Sequence, residues 1–356
     1  MIDFLVIGGG IAGLSAGAAL SNLGQTTLLE AESALGYHAS GRSAALYEAQ
    51  YGLPSVVALS RASENTHREG GYLSDRGLML VASTEQEDIF KADCDTLGMR
   101  QINIEEARAR VPILDPDKVG FTAYHADAWD IDTDRMLQDY ARTIRAQGGN
   151  VTTAEPVQSI ARDGETWRVT TPKNTYIARN IVNAAGAWAD QIAAMATVAP
   201  IGLVPHRRSM ARIPAPGGHD VSGWPMMLGV GESWYAKPDA GKLLVSPAEE
   251  DPVDPHDAWA DDMVLAEGLA RYEDLVSEPV TRLETSWAGL RSFAPDRVLV
   301  LGPDPTAPGF IWCAGQGGYG FQTAPAAARL LADLMAGRAS ELSAQTVDAL
   351  RPDRLR

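Results

Sequence analysis

The chain has 356 residues, 45% of them hydrophobic and 21% charged, enough for one large or two interleaved domains with an ample core. A formal net charge of −16 argues against nucleic acid as a partner, because phosphate backbones are bound by basic patches. Only Cys94 and Cys313 occur, far apart, which excludes a disulfide framework, a zinc knuckle and a redox C-x-x-C pair.

Ile2 to Ile7 is a β-branched and aromatic run, broken by Gly8-Gly9-Gly10-Ile11-Ala12-Gly13. An Ala-rich apolar stretch follows to Leu23, and Thr26 to Leu29 then leads to Glu30-Ala31. The order is strand, glycine turn, helix, strand, acid, and Gly8, Gly10 and Gly13 fit the G-x-G-x-x-G dinucleotide fingerprint. Gly8 permits the tight turn, Gly10 lets the backbone approach a pyrophosphate, and Gly13 lets helix and strand pack closely. The helix N-terminus at Ile11 and Ala12 offers N–H groups to phosphates. Glu30 is placed to accept hydrogen bonds from ribose hydroxyls, which argues against a 2′-phosphate. Phe4 to Leu23 does not read as a signal peptide: Asp3 stands at its head, no basic region precedes it and it is rich in glycine. No other stretch reaches the roughly 18 uninterrupted apolar residues of a spanning helix, so the expectation is a soluble, cytoplasmic protein with no transmembrane segment.

Gly36 to Tyr47 is a small-residue loop with one arginine, Arg42, followed by Ser43, Ala44 and Ala45. Such a loop suits a segment lying along a cofactor's phosphates or ring; a surface loop is the alternative. Ser55 to Gly70 has amphipathic helical spacing, Gly77 to Ala82 reads as a strand, and Thr84 to Leu97 as a helix capped by Thr84. Asp130 to Asp134 mimics a calcium loop, but Arg135 and Ala141 stand where glycine and glutamate are needed. A helix capped by Asp132 or Thr133 and running to about Ala146 is the simpler account, and no metal site is expected.

Val151 to Ile160, Thr166 to Thr171 and Tyr176 to Ala178 read as a small antiparallel meander. Asn180 to Ala184 reads as a buried strand ending in Ala185-Gly186-Ala187-Trp188, a second small-residue turn over the same cofactor. Ile201 to Ile213 carries Arg207-Arg208 in an apolar setting. Trp234-Tyr235 and Leu243 to Val245 suggest strands split by the turn Pro238 to Gly241. Glu249-Glu250-Asp251 and Asp261-Asp262 are expected on a solvated face, with a helix over Asp261 to Asp274. Glu284 to Arg291 reads as a strand ending in a single arginine, and Val298 to Leu301 and Phe310 to Ala314 as short strands. Gly315-Gln316-Gly317-Gly318-Tyr319-Gly320-Phe321-Gln322 then opens a helix from Thr323 to Met335. Glycine turns at both ends imply a nucleotide domain built from both termini, with the middle inserted.

In these stretches the sequence resembles the FAD-dependent D-amino-acid oxidase and dehydrogenase family, and within it the bacterial D-arginine dehydrogenases. The shared segments are Gly36 to Tyr47, Asp130 to Arg135, Asn183 to Trp188, Arg207 to Ser209, Tyr235 to Gly241, Trp287 to Phe293 and Gln316 to Thr323, in order over nearly the whole chain. The resemblance implies FAD and an α/β fold of two domains. A Rossmann-like FAD-binding domain would comprise 1–75, 133–198 and 297–356. An interleaved substrate domain with a mixed, largely antiparallel sheet would comprise 76–132 and 199–296. It further implies that Arg208 and Arg291 hold a substrate carboxylate, which guanidinium forks suit. Tyr235 would lie near that carboxylate, Gly318 would offer its carbonyl to the substrate amine, and Tyr51 would be a mobile lid. Two departures stand out: D-arginine dehydrogenases have a histidine at the position of Leu46 and a glutamate at that of Leu78. A guanidinium buried there would lack a partner unless Glu48 supplied one. Neutral or apolar D-amino acids are therefore expected over D-arginine. Related enzymes with covalent flavin use a cysteine near Gly289-Leu290-Arg291, where this chain has none, so FAD is expected to be non-covalent.

The expected reaction is oxidation of a D-amino acid to an imino acid, then hydrolysis to a 2-oxo acid and ammonia. Oxygen, a quinone or another acceptor would regenerate the flavin. A sarcosine- or glycine-oxidase-like amine oxidase of the same fold is the enzymatic alternative; a non-catalytic nucleotide-binding module would leave Arg208, Tyr235 and Arg291 without a purpose.

Overall fold

The computed structural model describes residues 1–356 and contains two large sheets. The first is built around the strand Ile2–Ile7, which pairs in parallel with Thr26–Leu29 on one side and Thr175–Asn183 on the other. Phe310–Ala314 extends the parallel set through Ile181, Val182 and Asn183, and Val300–Pro303 closes that side antiparallel to it. Strands buried on both faces need continuous apolar runs, which Phe4 to Ile7 and Phe310 to Ala314 supply. The helices Ile11–Leu20, Thr133–Ala146 and Gly320–Ala336 cover this sheet, and their apolar faces merge into one core with Val6, Leu28 and Val182. Parallel strands aim their carboxyl ends the same way, so the turns after Ile7, Leu29, Asn183 and Ala314 share one edge.

The second sheet runs Asp251–Pro252, Val204–Ile213, Lys242–Ser246, Tyr235–Asp239, Met226–Gly229, Leu78–Ser83, Val119–His125, Arg100–Ile102, with Thr285–Phe293 on the other side of Val204–Ile213. Directly paired residues share a face. The register Arg208↔Gly289 and His206↔Arg291 therefore puts Arg208, Met210, Gly289 and Arg291 together. Leu78↔Met226 and Leu228↔Tyr235 do the same for four further residues. A small third sheet joins Leu46–Tyr47, Leu73–Asp75 and Trp129–Ile131.

Several sequence expectations are corrected. The run 151–160 is not one strand. Asn150–Thr152 joins the first sheet parallel to Thr26–Leu29, and the meander starts only at Ser159–Asp163. Ala154, at φ 53, and Pro156 break it, while the N–H groups of Ala154 and Glu155 turn back to Glu32 and Glu30 carbonyls at 2.7 and 2.9 Å. Tyr176 to Ala178 and Asn180 to Ala184 fuse into the single strand Thr175–Asn183, because its first half pairs with the meander and its second with Phe310–Ala314. Thr84 does not cap the helix ending at Leu97. It lies inside a 3₁₀ turn, and Gln86 Oε1 accepts the Ser83 N–H at 3.0 Å. The last helix starts a turn earlier than Thr323, at Gly320, with the Thr323 hydroxyl donating back to the Tyr319 carbonyl at 2.8 Å. The strand through Arg291 continues to Phe293. Trp234 precedes its strand instead of joining it. Asp132 is the cap of its helix, accepting from Arg135 N–H at 3.1 Å.

The acid cluster 249–251 is not a merely solvated face. Glu249 is largely buried and accepts the Ser209 N–H at 2.7 Å, Glu250 bridges Arg208 and Arg297 at 3.0 and 2.7 Å, and Asp251 pairs with Arg207 at 2.8 Å. The arginines across the sheet draw these carboxylates inward. No helix is long and apolar enough to cross a membrane.

Candidate active site

One continuous cavity of about 510 Å³ follows the shared strand edge and passes beneath the second sheet. Its nucleotide end begins at Gly8, which has φ 112 and whose added Cβ would fall 2.3 Å from the Ala184 carbonyl oxygen. Gly13 does not line the cavity. A Cβ there would meet the Gly8 carbonyl oxygen at 1.9 Å, so its role is the close packing of helix on strand. Gly10, Ile11 and Ala12 do line it, and an added Cβ on Gly10 would approach only Ser40 Oγ, at 3.1 Å. The helix has no side-chain cap at Gly10, leaving an N-terminus suited to anions; one N–H, that of Ile11, is taken by Ser40 Oγ at 3.0 Å.

Glu30 is nearly buried, and its carboxylate is fixed from two sides by the N–H groups of Gly9 at 2.6 Å and Glu32 at 2.8 Å. Ionised carboxylates offer about four acceptor positions, so capacity for hydroxyl donors remains. Ala31, Ala185, Gly186 and Trp188 line the same end, with nothing within 4 Å of where a Gly186 Cβ would stand. Ser43, Ala44 and Ala45 form a wall farther along, followed by Gly317, Gly318, Gly320, Phe321 and Gln322 at the start of the last helix. Tyr319 does not line the cavity; its ring packs 5.3 Å from Tyr51 and 6.4 Å from Phe293. Arg42 lines it, but its guanidinium is spent on the carbonyls of Ala258 and Ala288, both at 2.8 Å, and on Asp257. It anchors the loop.

Beneath the second sheet the cavity is lined by Arg208, Arg291, Tyr235, Tyr51, Leu46, Glu48 and Leu78. The two arginines differ. Arg208 already faces Glu250, whereas Arg291 has no carboxylate within salt-bridge distance. Gly318 packs on Arg291, since an added Cβ would lie 3.0 Å from the guanidinium carbon. Burial raises the Tyr51 phenol above its ordinary pKa, although Arg291 opposes this, and the hydroxyl donates to Glu232 Oε2 at 3.1 Å. Glu48 faces the cavity half-engaged: Oε1 accepts the Gln50 N–H at 2.9 Å, while Oε2 lies 2.9 Å from His125 Nε2 but makes no hydrogen bond. The remaining wall is apolar, made of Leu46, Leu78, Leu97, Met210, Met226 and Leu228.

Sequence reading missed Ser40, Glu232, Glu250 and His125, whose partners come from distant segments. Met210 was accessible, standing two residues beyond Arg208 and hence on the same face of its strand.

Residues 3–334 match the family model described as FAD dependent oxidoreductase, DAO. A glycine oxidase of Pseudomonas aeruginosa is 28% identical, over 94% of this chain and 94% of its own length. The structure of L-proline dehydrogenase from P. horikoshii is similar with a TM-score of 0.84 at 20% identity, covering 99% of this chain and 97% of that one. Glycine oxidase from Geobacillus kaustophilus gives 0.81 at 21% identity, covering 97% of each chain.

Proposed function

The chain belongs to the family of FAD dependent oxidoreductases, and from that premise we propose that it oxidises α-amino acids of D configuration with neutral or apolar side chains. FAD is the cofactor, and the donor set fits it. An anion-ready helix start, a doubly anchored Glu30 and two glycine turns that added side chains would obstruct suit a pyrophosphate and a ribose. Bound FAD supplies the two-electron acceptor for the hydrogen on the substrate Cα.

The chain's own residues bind and orient. The observation that carries the reading is Arg291, a guanidinium without a carboxylate partner, facing a cavity whose far wall is apolar. A substrate carboxylate would complete it bidentately, with Arg208 and the Tyr235 hydroxyl beside it. The Gly318 carbonyl would hold the amine, fixing orientation and handedness. The side chain would then lie among Leu46, Leu78, Leu97, Met210, Met226 and Leu228. Glu48 is the one carboxylate of this pocket region that a D-arginine guanidinium could meet. Its Oε1 holds the Gln50 N–H and its Oε2, without a hydrogen bond, stands 2.9 Å from His125 Nε2, so the otherwise apolar wall favours neutral side chains. The substrate leaves as an imino acid, which water converts to a 2-oxo acid and ammonia.

A second reading is a glycine- or sarcosine-type amine oxidase, favoured by the glycine oxidase relative. Glycine would leave the apolar wall unfilled. Steady-state rates with an artificial acceptor, over D-leucine, D-methionine, D-arginine, glycine and sarcosine, separate the two. Higher kcat/KM for the apolar D-amino acids supports the proposal; D-arginine or glycine ranking first overturns it.

A further inference from the structure

Lys237 stands two residues after Tyr235 and on the same face of its strand, yet it is 7% exposed and is not part of the cavity lining. Its ammonium lies behind the wall formed by Ala44 and Ala45. It donates to the Ala44 carbonyl at 2.5 Å and approaches the Ala45 carbonyl at 3.4 Å. Asp130 Oδ1 is 2.8 Å away, and Asp130 Oδ2 accepts from Arg76 Nη2 at 2.6 Å and Nε at 2.9 Å. Arg76 otherwise bonds only the neutral carbonyls of Ser222 and Trp224. Asp130 therefore serves two cations. Asp239, two residues along the strand, also acts on Lys237 but is shared with Arg212, 3.8 Å away, so two carboxylates face three cations and positive charge is in surplus.

The wall itself is unusual. Ala45 sits at φ 56, in the left-handed region that costs a non-glycine residue energy, so the surroundings must impose it. Lys237 from below and the Ile131 N–H, at 2.9 Å to the Ala45 oxygen, occupy the two carbonyls. The Ser43 and Ala44 N–H groups find no acceptor in the chain, although both residues line the cavity. Carbonyls already taken and neighbouring N–H donors without an acceptor in the chain suit a wall against an acceptor-rich, electron-accepting ligand.

We propose that Lys237 is a positioning residue: it holds the Ala44–Ala45 backbone in its left-handed turn and, with Arg76, places net positive charge behind the cofactor wall, raising the flavin's reduction potential. It acts through the backbone and the field, not by touching substrate. Burial lowers the Lys237 pKa; Asp130 and Asp239 oppose this, and Arg76 adds to it. The inference rests on FAD binding in this cavity and not on which amine is oxidised.

The test uses the purified holoenzyme and the variants Lys237→Met, Lys237→Gln and Lys237→Arg, without substrate. Readouts are the midpoint potential of bound FAD, its visible spectrum and its dissociation constant, with thermal unfolding as the folding control. Lys237→Met is expected to shift the reduction equilibrium at least tenfold toward the oxidised form, about 30 mV for a two-electron couple, and to weaken FAD binding. Lys237→Arg should recover most of the potential. Lys237→Gln can keep a hydrogen bond to the Ala44 carbonyl but not the charge, so it should retain affinity better than potential; it decides the question if the Met variant does not fold. A folded Met or Gln variant with wild-type potential and spectrum overturns the proposal. Because no amine enters the experiment, that outcome would leave the proposed substrate class untouched.

Discussion

Arg208 and Arg291 carry the same side chain on adjacent strands, and their surroundings divide the work. Arg208 is balanced by Glu250, which Arg297 also holds at 2.7 Å, so it contributes a guanidinium already oriented. Arg291 touches no carboxylate, since Glu232 acts on it only from behind Tyr51, and it gains the most when a carboxylate arrives. Charge-assisted bidentate bonds of this kind contribute about 3 kcal/mol, roughly a hundredfold in kcat/KM. Arg291→Met should therefore lower kcat/KM about a hundredfold, and Arg208→Met by less, in steady-state assays on the same amino acid. A larger loss at Arg208 would reverse this assignment. Cys94 and Cys313 are buried, and burial pushes their thiols up to about 11 and about 12, so neither is poised to react. FAD should accordingly appear in the supernatant after acid or heat denaturation; flavin remaining with the precipitated chain would contradict non-covalent binding.

Among the elements, the glycine turn was readable because its spacing and its flanking periodicities agree. Gly13 shows what the spacing is for. Gly13→Ala would drive a methyl into the Gly8 carbonyl, and such overpacking costs about 3 kcal/mol or more. The variant should melt several degrees lower and purify with less FAD. Equal melting and full flavin content would show that strand and helix can separate at no cost. Strand ends were less legible. The break at Ala154 depends on carbonyls of Glu30 and Glu32, and the inward turn of the 249–251 acids depends on Arg207, Arg208 and Arg297, none of which is a local neighbour. The interface of helices Pro54–Glu69 and Gly320–Ala336 hides another non-local fact. His67 is fully buried there, and its Nε2–H donates to the Gln322 carbonyl at 3.1 Å. Burial lowers its pKa from 6.5 to about 4; the Gln322 bond opposes this and Arg329 adds to it. The unfolded chain takes up this proton near pH 6.5 and the folded chain only near 4. Stability is therefore full above pH 6.5 and falls as pH drops through that window, by roughly 3 kcal/mol. His67→Gln should flatten that part of the stability–pH curve in denaturant titrations; an unchanged slope would remove His67 as its cause.

At the scale of the whole molecule, two sheets meet over one cavity, and the parts of the site legible in sequence are those carried by motif. The nucleotide cradle and the two arginines stand at turns and strand positions whose neighbours are local or aligned in register. The apolar pocket and the partners of Glu48 and Tyr51 arise only when segments around 46–51, 78, 125 and 226–235 converge. That convergence produces the proposed specificity, since the clamp reads any α-amino acid and the pocket selects among them. The most direct test is anaerobic mixing of the purified holoenzyme with paired D- and L-isomers of leucine and methionine while the flavin absorbance is followed. Rapid bleaching by the D-isomers alone is the predicted result; bleaching by the L-isomers, or a fully bound flavin that neither isomer reduces, would contradict it.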